Sequence, residues 1–472
     1  MALRGALGLY FVDIQSTGRE LIPRKGPVIL AANHPNSIMD TVILGTQTHR
    51  TVSYLARSGL FKFFPVRWLF NACGVIPLFR AQDDPTQLHK NQGSFDRAFE
   101  VLAEGGCIGI FPEGKNAPER HVQDIKTGTA RIALGAEKVA GYGLGVKIVP
   151  VGLNFVRRDR FLSSVLIRFG EPLDTADFVA QYQEDERAAV RDLTQQLLDG
   201  IRDAATHMED DRTVALARDV YGIYGSKLLG DLVDDWGSRN NLAGRMLDDV
   251  RSEHNVRTNL DDMFWVKQRI GDAIAHFAKA QPDLVEEIER QVELYKSHLA
   301  QSRMRHDFMD RRPETLSVRR ESIKFTLYAI LFAPIAAWGF LCNAPAYAVM
   351  RLAALRAQDE AQRAFTAFLV AIALFPLYWS AQVYGLLALG APWWLCLLHT
   401  VAAPLAGFFF LRYRRQLLRY RRRILTRTLF LNDRRMVVSL AAERQRLLNT
   451  FDELRRKFVE STESKFDEHI KT

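Results

Sequence analysis

Residues 27–33, Pro-Val-Ile-Leu-Ala-Ala-Asn, decide the fold. An apolar run this short, closed by an asparagine, has the length of a buried strand and not of a helix. Two later stretches share its texture: Cys-Ile-Gly-Ile-Phe-Pro-Glu-Gly at 107–114 and Val-Lys-Ile-Val-Pro-Val-Gly-Leu-Asn-Phe at 146–155. Residues 92–105 and 129–141 read as helices that end at glycine. Strand–helix alternation of this kind predicts an α/β layered domain over residues 1–180, with its chemistry on the loops that follow strand ends.

Beyond that domain the texture changes. In 186–208, 264–280 and 283–301 apolar residues recur at three- and four-residue spacing, which predicts a structural helical domain over 181–318. Pro282-Asp283 marks one helix start, and no repeat suggests a solenoid. Nothing in this region looks catalytic.

Residues 319–411 read as a membrane segment. Phe325–Met350 is 26 residues without a charge, and Ala364–Leu411 is 48. A helix rises about 1.5 Å per residue and the hydrocarbon core is about 30 Å thick. The longer stretch therefore suffices for a hairpin over 365–411, out through 365–389 and back through 393–411, turning at Gly390-Ala391-Pro392. Arg319, Arg320 and Lys324 precede the shorter run, and Arg351 and Arg356 follow it. If every basic flank is cytoplasmic, 325–350 is re-entrant or interfacial, interrupted at Pro334, Asn343 and Pro345. Three full crossings are the alternative and would put one basic end outside. Residues 412–472 read as a basic, amphipathic, helical cytoplasmic tail.

Charge placement narrows the function classes. The 472 residues carry 63 Lys+Arg and 54 Asp+Glu, a net +9. Arg412–Arg427 alone holds eight arginines and no acid. A basic block abutting an uncharged stretch is a juxtamembrane signature; without interleaved stacking aromatics in a soluble fold it is not a nucleic-acid surface. With 48% hydrophobic and 25% charged residues, wholesale disorder is excluded, and a mean hydropathy of −0.10 is too polar for a chain that is membrane throughout. Cys73, Cys107, Cys342 and Cys396 are scattered, suggest neither a disulfide framework nor a zinc site, and read as small buried hydrophobes. No metal is expected. The first residues carry no secretory pattern, so the N-terminal half is expected in the cytoplasm.

Four short motifs follow one another in the α/β region: Asn33-His34-Pro35-Asn36-Ser37-Ile38-Met39-Asp40, Gly74-Val75-Ile76-Pro77-Leu78-Phe79-Arg80, Phe111-Pro112-Glu113-Gly114-Lys115 and Val149-Pro150-Val151-Gly152. A histidine with an aspartate close behind is a base with an orienting carboxylate, which fixes the imidazole tautomer and stabilises the imidazolium. Taken alone, such a pair is more often structural. No serine or cysteine sits in a nucleophile elbow, so the acceptor itself is the expected nucleophile. Arg80 and Lys115 call for an anionic partner, and Glu113 on a turn can accept from hydroxyls; together they describe a site for a phosphorylated polyol.

In this order the motifs resemble those of the glycerolipid acyltransferase superfamily, the PlsC-like lysophospholipid and glycerol-3-phosphate acyltransferases, across about residues 8–175. The resemblance implies transfer of an acyl group from a CoA or acyl-carrier-protein thioester to a hydroxyl of a phosphorylated glycerol, with no cofactor beyond that thioester. It makes His34 the general base and Asp40 its partner. Arg80 falls on the phosphate-binding arginine, Glu113 with Gly114 on the acceptor motif, and Pro150 on the motif assigned to shaping the acyl site.

Two departures stand out. Five residues separate His34 from Asp40 where the family usually has four, and one extra helical residue rotates a side chain by about 100°. A branch resembling the glycerol-3-phosphate and dihydroxyacetone-phosphate acyltransferases of endomembranes has this longer spacing. Lys115 and Asn116 stand where Thr and Arg are usual, so Lys115 would serve as a point cation. Lys126 and Arg131 are further candidates for phosphate charge, or ordinary helix-start and surface residues. The longer spacing and the helical and membrane extension favour glycerol 3-phosphate or dihydroxyacetone phosphate over lysophosphatidate as acceptor. A catalytically silent lipid-binding membrane protein of the same fold is the remaining reading. Expected partners are thus the thioester donor, the acceptor and membrane lipids, with no nucleic acid.

Overall fold

A computed structural model describes residues 7–8, 10–62, 67, 70–71, 74–79, 86, 89, 91–114, 121–158, 163–237, 260–302, 318–356, 360–432 and 434–470. The chain divides into two compact units, Met1–Asp211 with Ala354–Phe368, and Arg212–Ala353 with Leu369–Thr472.

The first unit is built on one sheet. Its strands are β1 (Asp13–Thr17), β2 (Val28–Ala32), β3 (Val52–Arg57), β4 (Ile76–Leu78), β5 (Cys107–Ile110), β6 (Lys147–Phe155), β7 (Ser164–Phe169) and β8 (Leu173–Asp174). They lie in the order β1-β7-β6-β2-β5-β3-β4, with β8 beside β6. β2 is parallel to both β5 and β6, and β3 is parallel to β5, whereas β6 and β7 are antiparallel. The three strands read from sequence are the centre of this sheet. All five side chains of β2 are buried, as an unbroken apolar run requires when both faces are covered.

Alternation divides β2 between two cores. Ile29 and Ala31 join Ile108, Ile110 and Ile148 under the helices α2 (Asn91–Ala103), α3 (Gly128–Val139), α4 (Ala176–Glu184) and α5 (Glu186–Ala204). Val28, Leu30 and Ala32 face the other way, onto Met39, Ile43 and Leu44 of α1 (Ile38–Gln47) and onto Tyr10 and Phe11. Each fully buried Leu or Ile of this kind is worth about 1.5–3 kcal/mol.

The domain boundary lies later than residue 180. Leu193, Leu197 and Ile201 of α5 are fully buried in the sheet's own core. A Cβ on Gly152 of β6 would sit 2.1 Å from the Ala204 carbonyl oxygen, so backbone meets backbone there. The α/β unit needs α5 as its lid, and the helical region begins near residue 211.

The second unit is helical: α6 (Asp211–Gly237), α7 (Leu260–Ala280), α8 (Pro282–Gln301), α9 (Val318–Leu355), α10 (Glu360–Ala388), α11 (Trp393–Asn432) and α12 (Arg434–Ile470). Pro282 occupies the first turn of α8, where a missing N–H costs nothing. The segment read as a tail starts inside α11, and its second half, α12, is tied to the helical region. Asp452 pairs with Lys227 and Tyr224 of α6, and Glu443 lies 3.0 Å from His298 of α8.

Three stretches, Ser322–Leu355, Thr366–Ala388 and Trp393–Leu418, are helices long and apolar enough to cross a membrane. The interruption expected within 325–350 is not seen: α9 runs unbroken through Pro334 and Pro345. Asn343 does not break it either, because its Nδ2 donates to Gly339 O on its own helix and to Ala403 O on α11, each at 2.9 Å. Apolar spans accept such residues where neighbouring helices satisfy the polar groups. α9 and α11 run side by side in opposite directions, with Tyr328 stacked on Tyr413 and Phe325 beside Tyr420. Their basic ends therefore lie together.

Candidate active site

The parallel strands β2, β5 and β6 point their C-terminal ends to one edge of the sheet, where open α/β sheets place their ligands. Ala31 is opposite Ile110 and Ala32 is opposite Val151, so the segments starting at Asn33 and Phe111 leave the sheet together.

Asn33 extends the β2–β6 ladder with its side chain. Its Oδ1 accepts from the Leu153 N–H at 2.7 Å, and its Nδ2 donates to the Leu153 carbonyl at 3.2 Å. That fixes the backbone where His34 begins. His34 Nδ1 lies 3.0 Å from Asp40 Oδ2, and the same oxygen accepts the Asn36 N–H at 2.7 Å. Asp40 sits in the first turn of α1, fully buried, whereas the His34 side chain is 18% exposed and open to a substrate. Asn36 is itself held by its Nδ2 donating to the Arg158 carbonyl at 3.0 Å.

The extra residue between His34 and Asp40 is absorbed before the helix starts. Ser37 takes φ 53°, a backbone rare for anything but glycine, and the Ser37 carbonyl accepts the Asp40 N–H. The added turn of chain is taken up by that strained residue, so the carboxylate still faces the imidazole.

Burial pushes the Asp40 carboxyl up, opposed by its hydrogen bond to His34, the imidazole's charge, the Asn36 N–H and Arg158. Oδ2 already accepts the Asn36 N–H, which makes it an acceptor toward His34 as well. In the tautomer with the proton on Nδ1, this contact is a hydrogen bond to Asp40 and Nε2 carries the lone pair.

The imidazole stacks on Phe111 at 4.1 Å between centroids, and Phe111 stacks in turn on Tyr54 at 6.2 Å. Gly109 makes room for this wall: a Cβ there would meet Tyr54 Cε1 at 2.3 Å. Phe111–Gly114 then turns, with the Gly114 N–H on Phe111 O at 3.2 Å. Glu113 is buried beside His34, and its Oε1 accepts the Gln123 N–H at 3.4 Å. Burial pushes its carboxyl up to about 7, opposed by the N–H groups of Gln123 and His34 and by the imidazole.

Lys126 reaches the same turn. Its N–H donates to Pro112 O at 2.9 Å, and a Cβ on Gly114 would lie 3.0 Å from its Nζ. Gly114 has φ 68°, so glycine serves both the turn and the lysine's passage. The segment 121–126 is clasped from behind by His207, whose Nδ1 accepts the Val122 N–H at 3.2 Å.

Of the residues singled out in the sequence, His34, Asp40, Glu113, Gly114 and Lys126 are brought together. Arg80 and Lys115 lie outside the described residues. Arg131 is exposed on α3. The ring of Pro150 packs on α5, where a Cβ on Gly200 would meet its Cγ at 2.7 Å, on the sheet face opposite α1. The sequence reading missed the aromatic wall of Phe111 and Tyr54 and the anchoring of Asn36 by Arg158. Phe111 stood inside a quoted motif; nothing local marks Tyr54.

A family model described as Acyltransferase matches residues 13–154, which hold this site. Glycerol-3-phosphate O-acyltransferase 1 of Saccharomyces cerevisiae is 25% identical over 46% of this chain and 40% of its own length. The chloroplastic 1-acyl-sn-glycerol-3-phosphate acyltransferase LPAT1 of Arabidopsis thaliana is 26% identical over 32% of this chain and 39% of its own. The chain thus spans about two fifths of each of these relatives. A crystal structure of the 1-acyl-sn-glycerophosphate acyltransferase PlsC from Thermotoga maritima aligns with a TM-score of 0.32 at 23% identity, covering 42% of this chain and 76% of that one.

Proposed function

Because residues 13–154 are an Acyltransferase-family domain, we propose that this chain is a membrane-bound O-acyltransferase acting on a phosphorylated glycerol. The observation that carries the reading is the 3.0 Å contact between His34 Nδ1 and Asp40 Oδ2, which orients the other ring nitrogen as a base. His34 Nε2 takes the proton from an acceptor hydroxyl as that oxygen attacks the thioester carbonyl of acyl-CoA or acyl-carrier protein. The tetrahedral adduct collapses, the C–S bond breaks, and the thiolate receives the proton from the imidazolium. The products are an ester and a free thiol, without an acyl-enzyme.

Glu113 accepts a hydrogen bond from an acceptor hydroxyl, and Lys126 draws the phosphate to the Gly114 turn. Arg80 and Lys115 are further phosphate-binding candidates, and Pro150 acts through packing beneath β6. Glycerol 3-phosphate or dihydroxyacetone phosphate is the preferred acceptor, in keeping with the Saccharomyces relative and the longer His–Asp spacing. Lysophosphatidate is the second reading, in keeping with the Arabidopsis relative. The α/β domain works at the cytoplasmic face, the side that basic flanks of apolar spans favour.

Incubating purified membranes with labelled glycerol 3-phosphate or labelled lysophosphatidate, each with acyl-CoA or acyl-carrier protein, tests the reading. Lysophosphatidate made from glycerol 3-phosphate supports it. Phosphatidate made only from lysophosphatidate selects the second acceptor. No ester with any pair contradicts transfer altogether and leaves a lipid-binding protein.

A further inference from the structure

Residues 121–126, which carry Lys126 back to the Gly114 turn, have no regular secondary structure. Two of their backbone N–H groups bond into the turn itself, Gln123 to Glu113 Oε1 at 3.4 Å and Lys126 to Pro112 O at 2.9 Å. The Val122 N–H leaves that pair and donates to His207 Nδ1 at 3.2 Å, across 85 residues of chain. The Val122 side chain is buried in the sheet's core, which sets the depth of the segment; the hydrogen bond adds the direction that packing lacks.

β6 in turn places His207. Asn154, buried, accepts the Thr206 N–H through Oδ1 at 2.6 Å and donates to the Ala204 carbonyl at 3.2 Å. Its neighbour Leu153 holds Asn33 ahead of His34. Consecutive residues of one strand thus fix both halves of the site, Leu153 before the base and Asn154 before the residue that grips the acceptor segment. Burial, with the charges of Arg202 and His121 set against Glu209, holds the His207 imidazole down at about 4. At neutral pH Nδ1 therefore keeps the lone pair that the Val122 N–H needs.

We propose that His207 is a positioning residue for the phosphorylated acceptor, its bond to the Val122 N–H holding residues 122–126 against the Gly114 turn. Held there, the Gln123 N–H stays on Glu113 and the Lys126 ammonium stays beside the turn where the phosphate is drawn. This role rests on the acyl-transfer reading of the site. His207 acts through Glu113 and Lys126, not on the substrate itself. Without it the segment is loosened and a buried N–H loses its acceptor, so the cost falls on acceptor binding. His34 is held from Leu153 and keeps its place.

The test is initial-rate kinetics of the purified full chain with palmitoyl-CoA and whichever of glycerol 3-phosphate and lysophosphatidate the wild type esterifies, each varied in turn. His207→Leu, which keeps the bulk and removes the acceptor atom, is expected to raise KM for the phosphorylated acceptor about tenfold. KM for palmitoyl-CoA and kcat are expected to change by less than about twofold, a split that general loss of structure would not produce. His207→Asn carries an amide oxygen on Cγ where the ring has Nδ1, and is expected to restore most of the acceptor KM. Should the leucine variant not fold, His207→Gln, whose amide lies one bond further out, takes its place and is expected to raise KM where His207→Asn does not. Amide exchange of the same proteins is expected to quicken in residues 121–126 and stay unchanged in β2. An unchanged acceptor KM in folded His207→Leu, an equal rise for both substrates, or a His207→Asn no better than the leucine variant would each overturn the proposal. Wild-type protein that forms no ester would instead overturn the acyl-transfer reading beneath it.

Discussion

Asn33 and Leu153 exchange two hydrogen bonds through the asparagine side chain, at 2.7 and 3.2 Å, so an amide completes the β2–β6 ladder one residue before the proposed base. Both residues are buried, and their backbone groups have no water to turn to. Asn33→Ala is expected to destabilise the α/β unit by about 1–3 kcal/mol and, by loosening His34, to lower acyl transfer by up to about 10²-fold. Thermal unfolding and kinetics of the same preparation check both parts. An unchanged rate with a lowered melting temperature would confine Asn33 to stability.

The turn at Gly114 and the side chain of Lys126 form one device. Lys126→Ala is expected to raise KM for the phosphorylated acceptor about tenfold, the size of 1.4 kcal/mol, with a smaller change in kcat. Lys126→Arg is expected to restore most of the loss. Gly114→Ala forces φ 68° on a residue with a Cβ and presses on the lysine, so it should reproduce the KM effect and cost a further 1–3 kcal/mol or so of stability. Initial rates across acceptor concentration decide.

Glu113 links stability to pH. Its folded carboxyl titrates at about 7 against 4.5 in the unfolded chain, so between those values the folded state holds a proton that the unfolded state has lost. Stability from this group is complete below 4.5 and falls as pH rises toward 7, by about 1.4 kcal/mol per unit. His207 works in the opposite sense: burial holds its imidazole down at about 4 against 6.5, so its contribution is complete above 6.5 and is lost as pH falls. The difference between wild type and Glu113→Gln isolates the first effect. Melting temperatures measured from pH 4.5 to 7.5 are expected to show the variant gaining on wild type as pH rises.

In the apolar helices, Asn343 is the junction. It bonds Gly339 and Ala403, and its Oδ1 accepts from Trp379 Nε1 at 3.1 Å, so one side chain touches α9, α10 and α11. Asn343→Leu is expected to cost about 0.6–1.7 kcal/mol, the range measured for such bonds in membrane proteins. Gly339→Leu should cost more, since its Cβ would fall 2.1 Å from the Ala406 carbonyl oxygen. Thermal unfolding of the full chain in nanodiscs ranks the two.

The central strands and the His34–Asp40 pair were legible because each is written locally: five apolar residues in a row, and a base with a carboxylate six positions on. What the sequence hid was long-range. The glycine at 109 matters only because Tyr54 of a neighbouring strand crosses it, and α5 joins the sheet because Gly152 lets Ala204 approach. Residues 186–204 have the periodicity of any amphipathic helix, and periodicity does not say which core the apolar side will meet. The extra residue before Asp40 was visible, but its accommodation in a left-handed Ser37 was not, since serine seldom announces that backbone.

The most direct measurement is the rate of acyl transfer from palmitoyl-CoA to glycerol 3-phosphate by the purified full chain carrying His34→Ala, with folding checked by its melting temperature. A fall of at least about 10²-fold, matched in direction by Asp40→Asn, is the expected result. Wild-type turnover by the folded His34→Ala protein would contradict the account.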